Sequence, residues 1–480
     1  MPDFISRLLS KPYLLLLCLS VFVLAIGINT YSLRGSTESR EAGVAAEMLQ
    51  DHEFLVPQLN GEEFLEKPPL SYWLQAASMR VFGYTAAAAR APSVIAGIAT
   101  LMLLFFSVKR ITQSTQKAWL AALFLMTMAS FWMNSRMAGQ DILLAFGIAV
   151  ALVGFWFTRA TSALAAGWLT YAFGIFIATF TKGVIGLAIP GSVLFAYLLL
   201  EAIWFDRRLV IGNWLRPAVF AVLGLLPLAV WLYALYRTHG ADYVSEVVLT
   251  NSVDRFAGDY QRGAHAEPFY YYLKKLPETF APWTVLVLIA LWQLRAQFRS
   301  NKNLLLVLCW LLAPYILLSF SAGKRPTYLL GIYPAAAILC ALFIGNLQTL
   351  QLRWRRAGAA LIGVLLLAYS LYGAVGLARH KDSDSFDTTF AQLVQLERDG
   401  HAIILFAPTE RVSGAARFYM QHAVPEMSDE ATMNAMLSSN PALVIFLQQE
   451  DLPRLRDYRV LGEISHGKRG YAIVASASML

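Results

Sequence analysis

The sequence predicts an all-α polytopic membrane protein that ends in a small soluble α/β domain. Three observations carry that expectation. Hydrophobic side chains make up 57% of the 480 residues and charged ones 15%, at a mean hydropathy of +0.52, too apolar for a soluble globular chain. Apolar runs of roughly 17–22 residues recur, the length that crosses a hydrocarbon core. Beyond residue 378 these runs stop, and short helical and strand-like periods replace them.

About eleven spans are expected, over residues 12–30, 92–108, 118–134, 142–158, 163–180, 183–203, 217–236, 278–294, 303–320, 327–346 and 357–377. Gly174 and Pro190 blur two borders, so the expected number is about 11–13. The first run follows Arg7 and Lys11 and shows no convincing small-residue cleavage site, so it is read as a retained span.

Lysine and arginine placement orients these spans. With the N-terminus inside, the inner segments carry Lys109, Arg110 and Lys117, then Arg159, then Arg207, Arg208 and Arg216. Arg295, Arg299 and Lys302 follow, then Arg353, Arg355 and Arg356. The longer segments 31–91 and 237–277 and the tail 379–480 then fall outside. The net charge of +8 is mostly this inner-surface bias, so no nucleic-acid partner is implied. Cys18, Cys309 and Cys340 all sit in apolar spans and are read as buried thiols; the outside tail has no disulfide framework.

Residues 1–378 are expected to form the membrane domain and 379–480 the soluble one. In the tail we expect helices over 388–398, 412–420 and 429–437, strands over 402–406 and 442–446, and a terminal strand pair near 458–464 and 471–475. No Gly-rich phosphate loop occurs there, so the tail is assigned no chemistry. Internal repeats and low-complexity segments are absent from the sequence.

Chemistry-bearing residues gather in the expected outer segments. Ser36 or Thr37 is placed to cap a helix from Glu38 to about Gln50, with Ala42, Ala45, Ala46 and Leu49 on one face. Glu38 is either a reactive carboxylate or a dipole-complementing one, and Arg40 either a ligand or a solvated cation. Glu66-Lys67-Pro68-Pro69 precedes a helix from Leu70 to Phe82, which puts Lys67 at a helix entrance suited to phosphate. The plain alternative is a Glu66–Lys67 surface pair.

Asp141 opens a span from outside, in the loop Asn134 to Asp141, and Thr181-Lys182-Gly183 lies at another outer junction, where Lys182 either binds an anion or snorkels. Lys324 and Arg325 run against the positive-inside bias, which an anionic ligand would explain. Arg255, His265 and the aromatics Phe269 to Tyr272 occupy the 237–277 segment. Those rings form an interfacial belt or a sugar platform, and a lone His265 is weak evidence for zinc.

In this order the residues resemble a known family. Glu38-x-Arg40, Glu66-Lys67-Pro68, an outer Asp141 and Thr181-Lys182-Gly183 come first. Arg255-Phe256, His265, Pro268-Phe269-Tyr270-Tyr271 and Lys324 with Thr327-Tyr328-Leu329-Leu330 follow. The set is similar to the bacterial aminoarabinose lipid A transferases and the wider protein-mannosyltransferase-like superfamily of GT-C membrane glycosyltransferases. It spans nearly all of residues 30–335, while the tail resembles the family in position and class only.

The resemblance implies inverting transfer of a sugar, an aminoarabinose-like pentose or a hexose, from a polyprenyl phosphate carrier to lipid A or another envelope acceptor. It implies a bacterial inner-membrane protein whose site and tail face the periplasm. Glu38 or Asp141 would be the base, with Glu38 taken for the base role and Asp141 to orient or balance charge, and Lys67, Lys182, Arg255, Lys324 and Arg40 would hold the donor phosphate. Tyr72, Trp73, Tyr271 and Tyr328 would line the substrate. No cofactor is required, and Glu66 with His265 is a possible pair for a divalent metal, zinc or magnesium. One departure matters: many relatives carry Asp-Glu where this chain has Thr37-Glu38, and a threonine is no base at neutral pH. The tail is also shorter than is typical.

Protein O-mannosyl transfer stays open as the alternative enzyme. The rival of another class is a lipid or sugar transporter, for which repeat symmetry and mid-membrane charges are expected. Neither is visible here. A non-catalytic envelope scaffold is the third reading.

Overall fold

The structure is a computed structural model that describes residues 11–162, 164–254, 267–347, 351–379, 385–466 and 469–477. Its contacts divide it into two compact units. The first comprises Met1–Ile26, Leu65–Ser71 and Ser93–Ser370; the second comprises Gly27–Phe64, Tyr72–Pro92 and Leu371–Leu480.

In chain order the helices begin with α1 (Lys11–Ala25), α2 (Gly35–Asp51), α3 (Leu70–Phe82), α4 (Ala86–Thr112), α5 (Thr115–Met126) and α6 (Ala129–Asn134). Next come α7 (Asp141–Ala160), α8 (Leu164–Lys182), α9 (Ile185–Glu201), α10 (Ile211–His239), α11 (Ala241–Ser245) and α12 (Tyr271–Thr279). The membrane series closes with α13 (Thr284–Leu294), α14 (Lys302–Phe320), α15 (Tyr333–Asn346) and α16 (Leu352–Leu371). Every expected apolar run contains a helix. Among the described residues, 8 helical segments are long and apolar enough to cross a membrane. The remaining runs hold shorter helices, α1, α13 and the pair α5–α6, which breaks at Thr127-Met128.

Inside the first unit the tightest seam joins α7 to α8. Gly147 and Gly154 lie seven residues apart on one helix, and Gly167 and Gly174 seven apart on the other. A Cβ on Gly174 would sit 2.1 Å from the Ala151 backbone nitrogen, one on Gly154 2.4 Å from that of Tyr171, and one on Gly147 2.6 Å from that of Ala178. Such small-residue seams let helices touch backbone to backbone, where dispersion rather than a hydrophobic gradient drives association.

Ion pairs mark both ends of α7. At one end, Asp141 of α7 meets Lys182 of α8. At the other, buried Glu201 takes Arg159 of α7, accepts the Tyr197 hydroxyl at 3.1 Å and lies 3.0 Å from Lys302 of α14. Lys302 also reaches Asp206 at 2.9 Å.

Arg136, 1% exposed, completes α1. Its guanidinium donates to the carbonyls of Leu24 (2.8 Å) and Ile26 (2.6 Å), which a helix end leaves without intrahelical donors. The free thiols depart from expectation at one position: Cys309 and Cys340 are buried, but Cys18 is exposed. Cys18 falls on the outward stripe of α1 with Leu14, Leu15, Val21 and Phe22, the stripe lipid would cover.

The second unit contains α17 (Asp387–Arg398), α18 (Glu410–Met420), α19 (Glu430–Ser439) and most of the strands. A short hairpin pairs β1 (Gln58–Leu59) with β2 (Glu62–Glu63). A five-stranded sheet runs β4-β3-β5-β7-β6, from β3 (Ala402–Phe406), β4 (Glu426–Met427), β5 (Leu443–Gln448), β6 (Tyr458–His466) and β7 (Arg469–Ser476). β3 is parallel to both β4 and β5, and β7 is antiparallel to β5 and β6.

Strand alternation sorts this core onto two faces. Ile403, Leu405, Val444, Phe446, Tyr471 and Ile473 pack with Phe390 and Leu393 of α17 and Val412 of α18. Ile404, Phe406, Ile445 and Val474 pack with Met433 and Leu437 of α19.

Helix α2 rests in the same unit, where its Ala42, Ala45 and Ala46 are fully buried. A Cβ on Gly43 would fall 2.6 Å from the Gly414 Cα of α18. Arg417 lies 3.7 Å from Glu47 and also pairs with Asp51. Asn60 exchanges hydrogen bonds with the backbone of Val424, donating at 2.7 Å and accepting at 2.8 Å.

Gly174→Val is expected to destabilise the first unit by about 1–3 kcal/mol, because the branched side chain forces the α7–α8 seam open. Thermal unfolding in detergent measures this, and an unchanged midpoint would refute the seam.

Candidate functional site

The charged cluster of the first unit grows from helix ends. Asp141 is the first residue of α7, where the positive end of the helix dipole favours a carboxylate. Lys182 is the last residue of α8, where the negative end favours a cation. Gly183 follows with φ +64° and its N–H donates to the Thr179 carbonyl at 2.7 Å, the left-handed stop that ends α8. Antiparallel packing then brings the two charges into an ion pair. Lys182 Nζ also stands 4.5 Å above the Tyr328 ring.

Glu66 and Lys67 enter from the segment before α3. Their head groups are 3.2 Å apart and both largely buried, and Lys67 is near enough to act electrostatically on Asp141. Asn251 fastens this segment by donating to the Leu65 carbonyl at 3.2 Å. Glu66, Lys67, Asp141, Lys182 and Tyr328 therefore share one end of the helix bundle.

Lys324 is 4% exposed. It donates to the Glu267 carbonyl at 2.7 Å and to the Ser321 carbonyl. Burial pushes its ammonium below the ordinary lysine range. Two of its three donors thus fold the chain before the turn Pro326–Ile332. Tyr272 of α12 donates its hydroxyl to the Arg325 carbonyl at 3.2 Å, and its ring lies against Tyr271 at 5.3 Å.

Glu38, Arg40, Tyr72 and Trp73 belong to the second unit. Arg255 and His265 lie outside the described residues. Among the described residues no group of three or more His, Cys, Asp or Glu could hold a metal ion.

Glu38 is 1% exposed and forked onto Arg90, with Arg90 Nε and Nη2 each donating to a different carboxylate oxygen at 2.7 Å. The Arg34 N–H adds a third bond at 2.8 Å. That bond opens α2: the residue before the helix is Arg34 and its side chain makes no cap, so the expected cap by Ser36 or Thr37 is replaced by a backward reach from Glu38. Arg90, fully buried, also donates to the carbonyls of Ile28, Tyr31 and Ser32. Arg40 is tied to Glu410 of α18 at 2.9 Å. Tyr72 is fully buried, and Trp73 donates to the Phe54 carbonyl at 2.9 Å.

Arg90 and Arg136 have structural roles that the motif reading passed over. The signal was present: each is an arginine beside apolar helix, where an unpaired charge is costly and must find carbonyls or a carboxylate.

A bundle of membrane-length helices with a charged cluster at one end and a small sheet domain defines the class, a polytopic membrane protein with the GT-C fold. Two solved structures of ArnT from Cupriavidus metallidurans share it. The apo form superposes at a TM-score of 0.79 and the form bound to undecaprenyl phosphate at 0.76; each is 18% identical and covers 97% of this chain and 98% of that one. Residues 14–244 match the model of the dolichyl-phosphate-mannose-protein mannosyltransferase family. It is also 29% identical over 317 residues to an undecaprenyl phosphate-alpha-4-amino-4-deoxy-L-arabinose arabinosyl transferase of Proteus mirabilis (strain HI4320). That match takes in 65% of this chain and 56% of the relative, so the chain spans little more than half of that protein's length.

Removing one partner of a buried ion pair strands the other, at about 3–5 kcal/mol. Arg90→Met is expected to cost that much stability, and Arg90→Met combined with Glu38→Leu to cost clearly less. Equal losses in the single and double variants, read by thermal unfolding, would remove the pair as the anchor of α2.

Proposed function

We propose that the protein is an inverting glycosyltransferase. It moves a sugar from a polyprenyl phosphate carrier to an outer-leaflet acceptor such as lipid A. The observation that carries this reading is the meeting of Asp141, Lys182, Lys67 and Glu66 at one end of the membrane helices, in a chain similar to named undecaprenyl phosphate aminoarabinose transferases.

In this reaction the bond from the anomeric carbon to the carrier phosphate breaks as the acceptor oxygen attacks from the opposite face. The leaving phosphate gains negative charge, which Lys67 and Lys182 are placed to stabilise in a poorly hydrated site. Arg255 and Lys324 complete the proposed phosphate group, and Tyr328 and Tyr271 the aromatic lining. An acceptor hydroxyl must lose a proton, and Asp141 is the better base. Its side chain keeps 20% exposure against 1% for Glu38, whose oxygens already accept from Arg90 and Arg34. An ionised acceptor phosphate needs no base, and Asp141 would then hold Lys182 in place. The reading needs no cofactor; should a divalent ion take part, Glu66 and His265 are the residues proposed to bind it.

The same proposal sets the protein in the bacterial inner membrane, with the Asp141 end and the tail 379–480 facing the periplasm and 1–378 as the catalytic membrane domain. Reporter fusions after Thr85 and after Ala407 should then mark the outside and one after Arg208 the cytoplasm. A cytoplasmic signal at Ala407 would overturn the orientation.

Purified protein supplied with radiolabelled polyprenyl phosphate sugar and lipid A should transfer label. Lys67→Ala should weaken donor use by about 2–5 kcal/mol, and Asp141→Asn should cut turnover by roughly 10²–10⁴-fold if the acceptor is a hydroxyl. Wild-type donor use in Lys67→Ala would remove the phosphate assignment, and absence of transfer to any envelope acceptor would sink the enzyme reading.

A further inference from the structure

Gln140 stands immediately before Asp141 and is 4% exposed. Its backbone is committed, since its carbonyl accepts from Leu144 N–H at 2.9 Å as α7 begins. The preceding Gly139 carbonyl accepts the Ser93 hydroxyl at 3.2 Å, which fixes the loop. The side-chain amide is not committed. Both its oxygen and its nitrogen are buried without a hydrogen-bond partner. Stranding buried polar atoms is costly, so an apolar residue of this size would stabilise the ligand-free protein.

Two further groups of the same unit share this condition. Asn251 uses its amide nitrogen on the Leu65 carbonyl, one residue before Glu66, while its oxygen is buried without a partner. The Tyr315 hydroxyl is likewise buried without a partner, and its ring lies 6.1 Å from that of Tyr272. Tyr272 in turn sits within electrostatic range of Asp141 and Tyr328. These three unmatched groups thus adjoin the lysine–carboxylate cluster in sequence, as Gln140 does beside Asp141, or through one intervening residue, Leu65 for Asn251 and Tyr272 for Tyr315.

We infer that Gln140 is a specificity-determining residue that recognises a polar substituent of the transferred sugar. The inference rests on the glycosyltransferase reading and divides the site by chemistry. A phosphate offers only acceptors, which suits the donor-only lysines. A sugar hydroxyl or neutral amine offers donor and acceptor together, which suits an amide with both atoms unused. A pocket built to hydrogen-bond such a group discriminates strongly against a ligand lacking it, because its own polar atoms then stay stranded.

The test compares full-length wild type with Gln140→Met, of similar size but apolar. Binding is measured with undecaprenyl phosphate and with undecaprenyl phosphate 4-amino-4-deoxy-L-arabinose, and thermal unfolding is followed without ligand. Gln140→Met should unfold at or above the wild-type temperature and keep its affinity for the bare lipid phosphate. It should lose roughly 5–150-fold in affinity for the sugar-bearing lipid, the equivalent of one such hydrogen-bonding group. A sharply lowered unfolding temperature would make Gln140 structural, and unchanged sugar-lipid affinity would also overturn the inference. Wild type that binds both lipids equally would remove sugar recognition while leaving lipid phosphate binding intact. Wild type that binds neither would instead sink the glycosyltransferase reading itself.

Discussion

The closeness of α7 and α8 is the constraint on which the rest of the membrane unit depends. Four glycines at seven-residue spacing remove the side chains that would hold the two backbones apart, and the approach is so tight that a single Cβ would meet backbone nitrogen at 2.1–2.6 Å. Two helices fixed at that distance have little freedom to slide. Their termini at one end are therefore fixed too, with Asp141 against Lys182, while at the other end of α7 Arg159 is tied to Glu201 of α9. Charge at both ends is consistent with the physics of a bilayer, where ionised groups are tolerated at helix ends or in pairs. The pairs report where the helices end; the glycines decide that they end together.

The second unit solves a different problem. A helix such as α2, with alanines on its buried face, has little apolar volume of its own to bury. It gains contact instead through close approach, Gly43 on Gly414, and through buried polar ties. Glu47 shows the balance of forces. Burial raises its pKa above the ordinary carboxylate range, while the Gly61 and Asn60 N–H groups and Arg417 pull the other way. Those N–H groups donate at 2.7 and 2.6 Å, so the carboxylate of α2 holds the turn of the β1–β2 hairpin. Arg90 does comparable work, gathering Glu38 and three carbonyls that would otherwise be buried without donors.

Much of this was legible in the sequence, for stated physical reasons. Apolar runs announce helices because the period and length of burial are local properties, and the tail's strands announce themselves because Ala402–Phe406 and Leu443–Gln448 are buried on both faces. Asp141 and Lys182 could be singled out because charge at the border of an apolar run is rare. What the sequence concealed was partnership. Nothing local distinguishes Glu38 as the partner of Arg90, 52 residues away, from Glu38 as a carboxylate open to substrate. Nor does the chain before Glu410 reveal that Arg40 will be held by it. A carboxylate at a helix start is chemically the same object in both cases, and only the tertiary neighbours tell them apart.

That difference reshapes how the departure at Thr37 is understood. If the acidic pair of related chains supplied a base from the first outer helix, this chain has kept the member that forks onto an arginine. At the other position stands a residue that cannot ionise at neutral pH. A carboxylate that accepts two N–H bonds from one guanidinium and a third from the backbone is held in place by fixed donors, which limits its reach. Asp141 is paired with Lys182 and lies within electrostatic range of Lys67. The first carboxylate is locked into the fold by three donors, while the second keeps more exposure beside its lysine. Under the proposed reaction Lys182 would divide between Asp141 and the departing phosphate, so that donor arrival would release the carboxylate at the moment a base or an orienting charge is needed.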